Sequence, residues 1–177
     1  MFIGLVRHFK VDSDTQIFMT SDDFEEWVLK YDNSDIKENK VEIEHIKWDK
    51  CLSSDLPRAV KTSETIFKGE IIKSKLLREV PLSPIFKTNI KLPYLFWCIT
   101  GRLAWNFQHK SQIETKNDTQ MRANEFLDYL NNESDSNILI VCHGFFMRVL
   151  QNELKRRGFS GQNIRNPKNG ALYLYKK

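Results

Sequence analysis

Two short runs of uninterrupted apolar residues, each stopping at a histidine, constrain this chain more than any other feature. Residues 1–6 read Met-Phe-Ile-Gly-Leu-Val before Arg7 and His8, and residues 138–142 read Ile-Leu-Ile-Val-Cys before His143 and Gly144. Neither run alternates polar with apolar positions. A strand of that kind is buried on both faces, the usual state of a parallel sheet covered by helices. Open α/β sheets place ligands at the carboxyl edge of their strands. Arg7, His8, Phe9 and Lys10 are therefore expected at that edge, and His143 beside them.

The remaining pattern alternates helices with strands. Thr20 to Asp23 offers a hydroxyl cap and acids at a helix start, followed by Phe24, Trp27, Val28 and Tyr31 at helical spacing. Residues 32–40 read as a loop, and 41–48 is ambiguous between strand and connector. Cys51 to Ser54 reads as a second buried strand end. Pro57 suits the first turn of a helix over about residues 56–67, with Ala59, Val60, Ser63 and Phe67 on its packed face. A short strand is expected over 71–77, an amphipathic helix over 121–130, a polar loop over 131–137, a helix over 145–156 and a last strand over 171–175. Residues 81–116 carry three prolines and many aromatics and read as irregular, a cap-like segment reaching about residue 118. The predicted fold is one domain over 1–177, a three-layer αβα sandwich with a mainly parallel central sheet.

The chain's 177 residues suit one domain with a substantial core. Hydrophobic residues at 41% and charged residues at 28% match a soluble globular protein. A formal charge of +4 fits anionic ligands but is too diffuse to indicate nucleic acid. Cys51, Cys98 and Cys142 are an odd number with no pair at zinc-ligand spacing, so a reducing compartment and no structural metal are expected. The first apolar run is too short for a secretory signal, and none reaches the ~18 residues of a membrane span. A cytoplasmic, soluble protein without nucleic-acid or membrane partners follows as the expectation.

The chemistry gathers around the two histidines. Arg7 adjoins His8, and Arg58 opens the helix after the second strand. Arginine's planar fork matches phosphate oxygens, and a neutral imidazole between two such forks can attack phosphorus. The motifs resemble those of the histidine phosphatase (phosphoglycerate mutase-like) superfamily. They are Leu5-Val6-Arg7-His8, then Ser54-Asp55-Leu56-Pro57-Arg58-Ala59 with Thr62 and Glu64, then Leu77-Arg78-Glu79, then Val141-Cys142-His143-Gly144. All four occur in the family's order, and the resemblance spans almost the whole chain.

The resemblance implies a phosphomonoester hydrolase acting on a small phosphorylated metabolite through a phosphohistidine. His8 is the implied nucleophile. Arg7, Arg58 and His143 would hold the phosphate oxygens, helped by backbone amides at Gly144 and Phe145. Glu79 would protonate the leaving oxygen and then activate water. No metal and no cofactor are implied, because guanidinium and imidazolium groups supply the positive charge. The chain departs from the family at Phe9, where glycine usually follows the nucleophile, and after Glu79, where Pro81-Leu82-Ser83-Pro84 replaces a glycine-containing continuation.

Alternatives remain open on the residues themselves. One is a phosphate- or phosphopeptide-binding module without catalysis, and another a mutase-type phosphoryl transferase. Cys142 and Arg148 stand at Cys-x5-Arg spacing, but the bulky Phe145-Phe146-Met147 between them suits a helix better than a phosphate loop. Phe86, Tyr94, Phe96, Trp97 and Trp105, with Lys87, Lys91 and Arg102 interleaved, have two readings. In one, Trp97 and Arg102 cap the substrate alongside Lys10; in the other, the aromatics form a minor core. His45 and His109 lack supporting neighbours and read as surface residues.

Overall fold

The computed structural model describes residues 1–37, 39–41, 43, 45–130 and 136–177. Among these, the strands in chain order are β1 (Phe2–Arg7), β2 (Phe18–Met19), β3 (Lys50–Ser54), β4 (Ile71–Ser74), β5 (Leu92–Pro93), β6 (Ile138–Cys142), β7 (Ser160–Gly161) and β8 (Leu172–Lys176). The helices are α1 (Ser21–Asn33), α2 (Pro57–Ile66), α3 (Tyr94–Asn106), α4 (Lys116–Leu130) and α5 (Gly144–Arg156). The main sheet runs β4-β3-β6-β1-β8-β7 in space. Its first four strands are mutually parallel; β8 lies antiparallel to β1, and β7 antiparallel to β8. The mainly parallel sheet between helical layers is the architecture expected from the strand pattern.

The fully apolar strands are buried on both faces, as their lack of alternation requires. Ile138, Ile140 and Cys142 of β6 enter a core with Ile3, Leu5 and the inner faces of α4 and α5, including Phe126, Phe146 and Leu150. The intervening Leu139 and Val141 face the opposite way, toward Val6, Ala59 and Trp48. Gly4 belongs to that second face because a Cβ there would stand 2.5 Å from the Trp48 ring. A side chain at position 4 would push the indole out of the layer.

Local signals explain the helix starts. The Thr20 hydroxyl accepts from the Asp23 amide at 3.1 Å, and the Asp23 carboxylate accepts from the Thr20 amide at 2.9 Å, a complete capping box. Pro57 occupies the first turn of α2, where its missing amide leaves no donor unpaired. The expected strand over 71–77 stops at Ser74. Its hydroxyl accepts from the Leu76 amide at 3.2 Å and starts a single 3-10 turn over Lys75–Leu77.

The segment expected to be irregular contains a full helix, α3, and the short strand β5. α3 is apolar on several sides, with Leu95, Ile99 and Leu103 exposed and Trp97, Ala104 and Trp105 buried, so it lacks an amphipathic period. β5 pairs antiparallel with β2, and this ribbon anchors α3 beside α1 over a satellite core of Met19, Phe24 and Trp97. Of the ambiguous 41–48 stretch, residues 42 and 44 lie outside the described residues and the others form no strand. The expected polar loop at 131–137 lies outside them except for 136 and 137. Among the described residues no helix is long and apolar enough to cross a membrane.

Candidate active site

Strand register brings the two histidines together. Arg7 pairs with Cys142 across the parallel β1–β6 ladder, so the next residue of each strand emerges at the same edge. The His8 amide donates to the Cys142 carbonyl at 3.0 Å, and the two imidazole centroids lie 5.0 Å apart. β3 ends alongside, and the Ser54 hydroxyl lies 2.8 Å from His143 Nε2. Ser54 Oγ also accepts from the Leu56 amide at 3.3 Å. Its own proton can go to Nε2, the arrangement in which His143 Nδ1 is an N–H donor.

His8 is held in one tautomer. Its Nδ1 lies 2.6 Å from the Phe9 carbonyl, which can only accept, so Nδ1 carries the proton. Nε2 keeps its lone pair and accepts from Arg58 Nε at 3.3 Å. Burial, the Arg58 guanidinium and, more weakly, Arg7 bring the His8 pKa down to about 3, against the pull of the Phe9 carbonyl. His143 is held well below its ordinary value, first by burial and then by Arg58, His8 and Arg7. Both rings are neutral at physiological pH. A buried neutral imidazole with its Nε2 lone pair among guanidiniums is poised as a nucleophile rather than an acid.

The arginines are positioned by backbone and side-chain partners distant in sequence. Arg58 is 1% exposed. Its Nη1 pairs with the Asp32 carboxylate at 2.8 Å, and its guanidinium lies 5.3 Å from the Tyr31 ring centroid. Thr62, one turn along α2, donates to the Arg58 carbonyl at 2.7 Å and accepts from the Phe9 amide at 2.9 Å, tying α2 to the end of β1. Arg7 donates from Nη1 to the Pro167 carbonyl at 2.9 Å. Gly144 lets the Arg7 side chain cross the start of α5, since a Cβ there would come within 3.0 Å of Arg7 Nε. The Asn169 amide side chain donates to the His8 carbonyl at 2.7 Å, and the Gly170 amide to the Arg7 carbonyl at 2.8 Å.

Two buried polar atoms here, Arg7 Nε and His143 Nδ1, have no hydrogen-bond partner among the described residues. Buried donors are almost always satisfied, so an unpaired pair flanking one histidine indicates a site built for an acceptor-rich ligand.

Glu79 occupies a place that sequence reasoning assigned to the ligand. Its carboxylate accepts from the Phe145 amide at 3.1 Å and the Phe146 amide at 2.9 Å, at the positive end of α5. The Phe145 amide, expected to face phosphate, is thus engaged by an internal carboxyl group. Arg7, His8, Arg58, Glu79 and Arg102 all line one cleft of ≈ 480 Å³. Arg102 donates to the Val80 carbonyl at 3.1 and 3.2 Å and stacks 3.9 Å from the Phe145 ring centroid.

Four expected ligand contacts, Lys10, Trp97, Gly144 and Phe145, lie outside the cleft lining, as does the buried ring of His143. Trp97 is fully buried in the satellite core, with its indole N–H donating to the Met19 carbonyl at 2.9 Å. α3 turns this residue inward and presents Tyr94, Cys98 and Arg102 to the cleft instead. Lys10 is exposed and lies outside the lining. Phe9 is also fully buried and lies outside the lining, so its ring does not wall the cleft. The Cys142 thiol is fully buried in the sheet core, which pushes its pKa up and removes the thiolate that a cysteine mechanism needs. Asp32, Tyr31 and Asn169 were not foreseen as site residues. They are ordinary polar residues whose relevance appears only when tertiary contacts bring them to Arg58 and His8. Among the described residues, no three His, Cys, Asp or Glu side chains gather to hold a metal ion.

Comparison with known proteins agrees with this fold. The family model for the histidine phosphatase superfamily (branch 1) matches residues 34–176. Among solved structures, phosphoglycerate mutase from Bacillus anthracis is 20% identical, with TM-score 0.60, covering 88% of this chain and 80% of that one. Phosphoserine phosphatase from Entamoeba histolytica is 16% identical with TM-score 0.57, covering 92% and 87%. Alpha-ribazole phosphatase from Shigella flexneri is 17% identical with TM-score 0.57, covering 98% and 89%. At these identities the likeness is one of fold. The search of curated protein sequences finds no match.

Proposed function

The chain belongs to the histidine phosphatase superfamily (branch 1), and from that premise we propose that it hydrolyses phosphomonoesters through a phosphohistidine on His8. The observation that carries this reading is the neutral His8 ring, with its Nε2 lone pair unprotonated, set between Arg58 and the unpaired donors of Arg7 and His143.

In the first step His8 Nε2 attacks phosphorus and the bond to the leaving oxygen breaks. Arg58 Nε gives up its contact with Nε2 and turns to a phosphoryl oxygen; Arg7 Nε and His143 Nδ1–H take others. Glu79, in its protonated form, supplies the proton to the leaving alcohol. In the second step it takes a proton from water, whose oxygen attacks phosphorus and releases the imidazole. Oε1 accepts from two amides, Phe146 and Val80, whereas Oε2 accepts from Phe145 alone and keeps a lone pair for the proton it handles. In this reading Arg7, Arg58 and His143 supply the positive charge and donors, so the proposed chemistry uses no metal. The free, partly or wholly buried cysteines are consistent with a reducing, cytoplasmic setting.

The test is to incubate the protein with radiolabelled phosphoramidate, with and without EDTA, and to quench in alkali. Alkali-stable, acid-labile label on wild type, absent from His8→Ala and unaffected by EDTA, is the expected result. Phosphate binding without label or turnover would leave only a binding module.

A further inference from the structure

The cleft that contains His8 has a mixed lining. Charged side chains in the lining are Arg7, Arg58, Asp32 and Glu79, around the neutral His8. Apolar lining comes from Trp27 and Val28 of α1, Leu82 after Glu79, and Tyr94 of α3. At its rim stand two exposed apolar side chains, Leu29 at 65% exposure and Ile113 at 83%. Large apolar groups that line a concave mouth while open to water are ready to be covered by a ligand.

The other cations in the lining are already committed. Arg78 forms a two-point pair with Asp55, at 2.7 and 2.6 Å. Arg102 is spent on the Val80 and Pro81 carbonyls and on the Phe145 ring. No lysine is among the lining residues. A second anionic group on the substrate, such as a carboxylate or another phosphate, would therefore meet apolar walls and lose its hydration without a free counter-charge.

We infer that the substrate is a phosphomonoester of an uncharged, apolar alcohol, aryl or short alkyl, whose organic part lies against the apolar side chains that α1 and α3 present to the cleft. This rests on the hydrolase reading above and names the substrate class for that same site. The volume of ≈ 480 Å³ accommodates a phosphoryl group plus an organic group the size of a fused aromatic ring.

The test compares kcat/KM for 2-naphthyl phosphate, octyl phosphate, glycerol phosphate and 3-phosphoglycerate, alongside His8 labelling by phosphoramidate, which carries no organic group. Naphthyl or octyl phosphate should exceed 3-phosphoglycerate by about a hundredfold, the scale of several methylenes' worth of apolar contact. The naphthyl-to-octyl ratio separates ring stacking from simple chain burial. The Leu29→Arg/Ile113→Arg double variant, both sites being exposed, should lower the naphthyl-to-phosphoglycerate ratio about tenfold. If His8 is labelled but phosphoglycerate is turned over as well as naphthyl phosphate, or the double variant leaves the ratio unmoved, the substrate class is wrong and the hydrolase reading stands. If neither label nor turnover appears with any donor, both fall together.

Discussion

Lowering the pH should destabilise this protein through its buried histidines before most carboxylates begin to titrate. The His8 pKa falls from 6.5 to about 3 on folding. Between those values the unfolded chain binds a proton that the native state refuses, so stability falls as pH is lowered through that window. At about 1.4 kcal/mol per pH unit per proton, going from pH 7 to pH 4.5 removes about 2.5 kcal/mol through His8 alone. His143, fully buried and shifted the same way, adds a second proton of the same sign. Against a typical stability of about 5–15 kcal/mol, the two together bring the native state close to its acid limit. Urea unfolding at a series of pH values would measure this directly. Wild type should lose stability with a slope approaching two protons around pH 5, and His8→Gln should reduce that slope by about one. Parallel slopes for the two proteins would refute the argument, as would an imidazole titration near pH 6.5 for His8 in NMR of the native state.

Other perturbations probe the site individually. Glu79→Gln keeps an oxygen to accept from an α5 amide while removing the proton to be donated. Its kcat should fall by about 10²–10⁴ for alkyl phosphates and much less for 4-nitrophenyl phosphate, whose leaving group needs no proton. Gly144→Ala places a methyl 3.0 Å from Arg7 Nε and should raise the vanadate inhibition constant by about tenfold or more. Thermal melting would establish that its fold is kept. Cys142→Ala should lower stability by about 1–2 kcal/mol, from a small cavity in the sheet core, while phosphatase turnover persists. Loss of turnover in a folded Cys142→Ala protein would reopen the cysteine mechanism.

The parts of the fold legible in the sequence were those in which local pattern and burial coincide. β1 and β6 are apolar at every position because both their faces are covered, so their ends, and hence His8 and His143, could be placed at one sheet edge before any contact was known. Arg58 was legible by its position after Pro57 at a helix start. α3 was not, because a helix exposing Leu95, Ile99 and Leu103 while burying Trp97 offers no polar face to reveal its period. The same ambiguity left Trp97 between a substrate contact and a core residue, and burial decided for the core. Glu79's hold on the α5 amides spans 66 and 67 residues, and Asp32 reaches Arg58 across 26. Such pairings depend on how helices sit on the sheet, which composition and spacing do not encode.

The clamp on Arg7 and His8 by Pro167, Asn169 and Gly170 bears on how the protein is made. Two of those side-chain bonds bridge 160 and 161 residues, and β8, just beyond, completes the sheet against β1. Translation delivers the nucleophile about 160 residues before its clamp. On the ribosome, β1 leaves the tunnel without β6, its parallel neighbour, and without the loop that fixes its end. A nascent chain shorter than about residue 170 therefore carries His8 but not the geometry that orients it. Catalytic competence should arrive in a single step, when residues 167–176 emerge and close on β1.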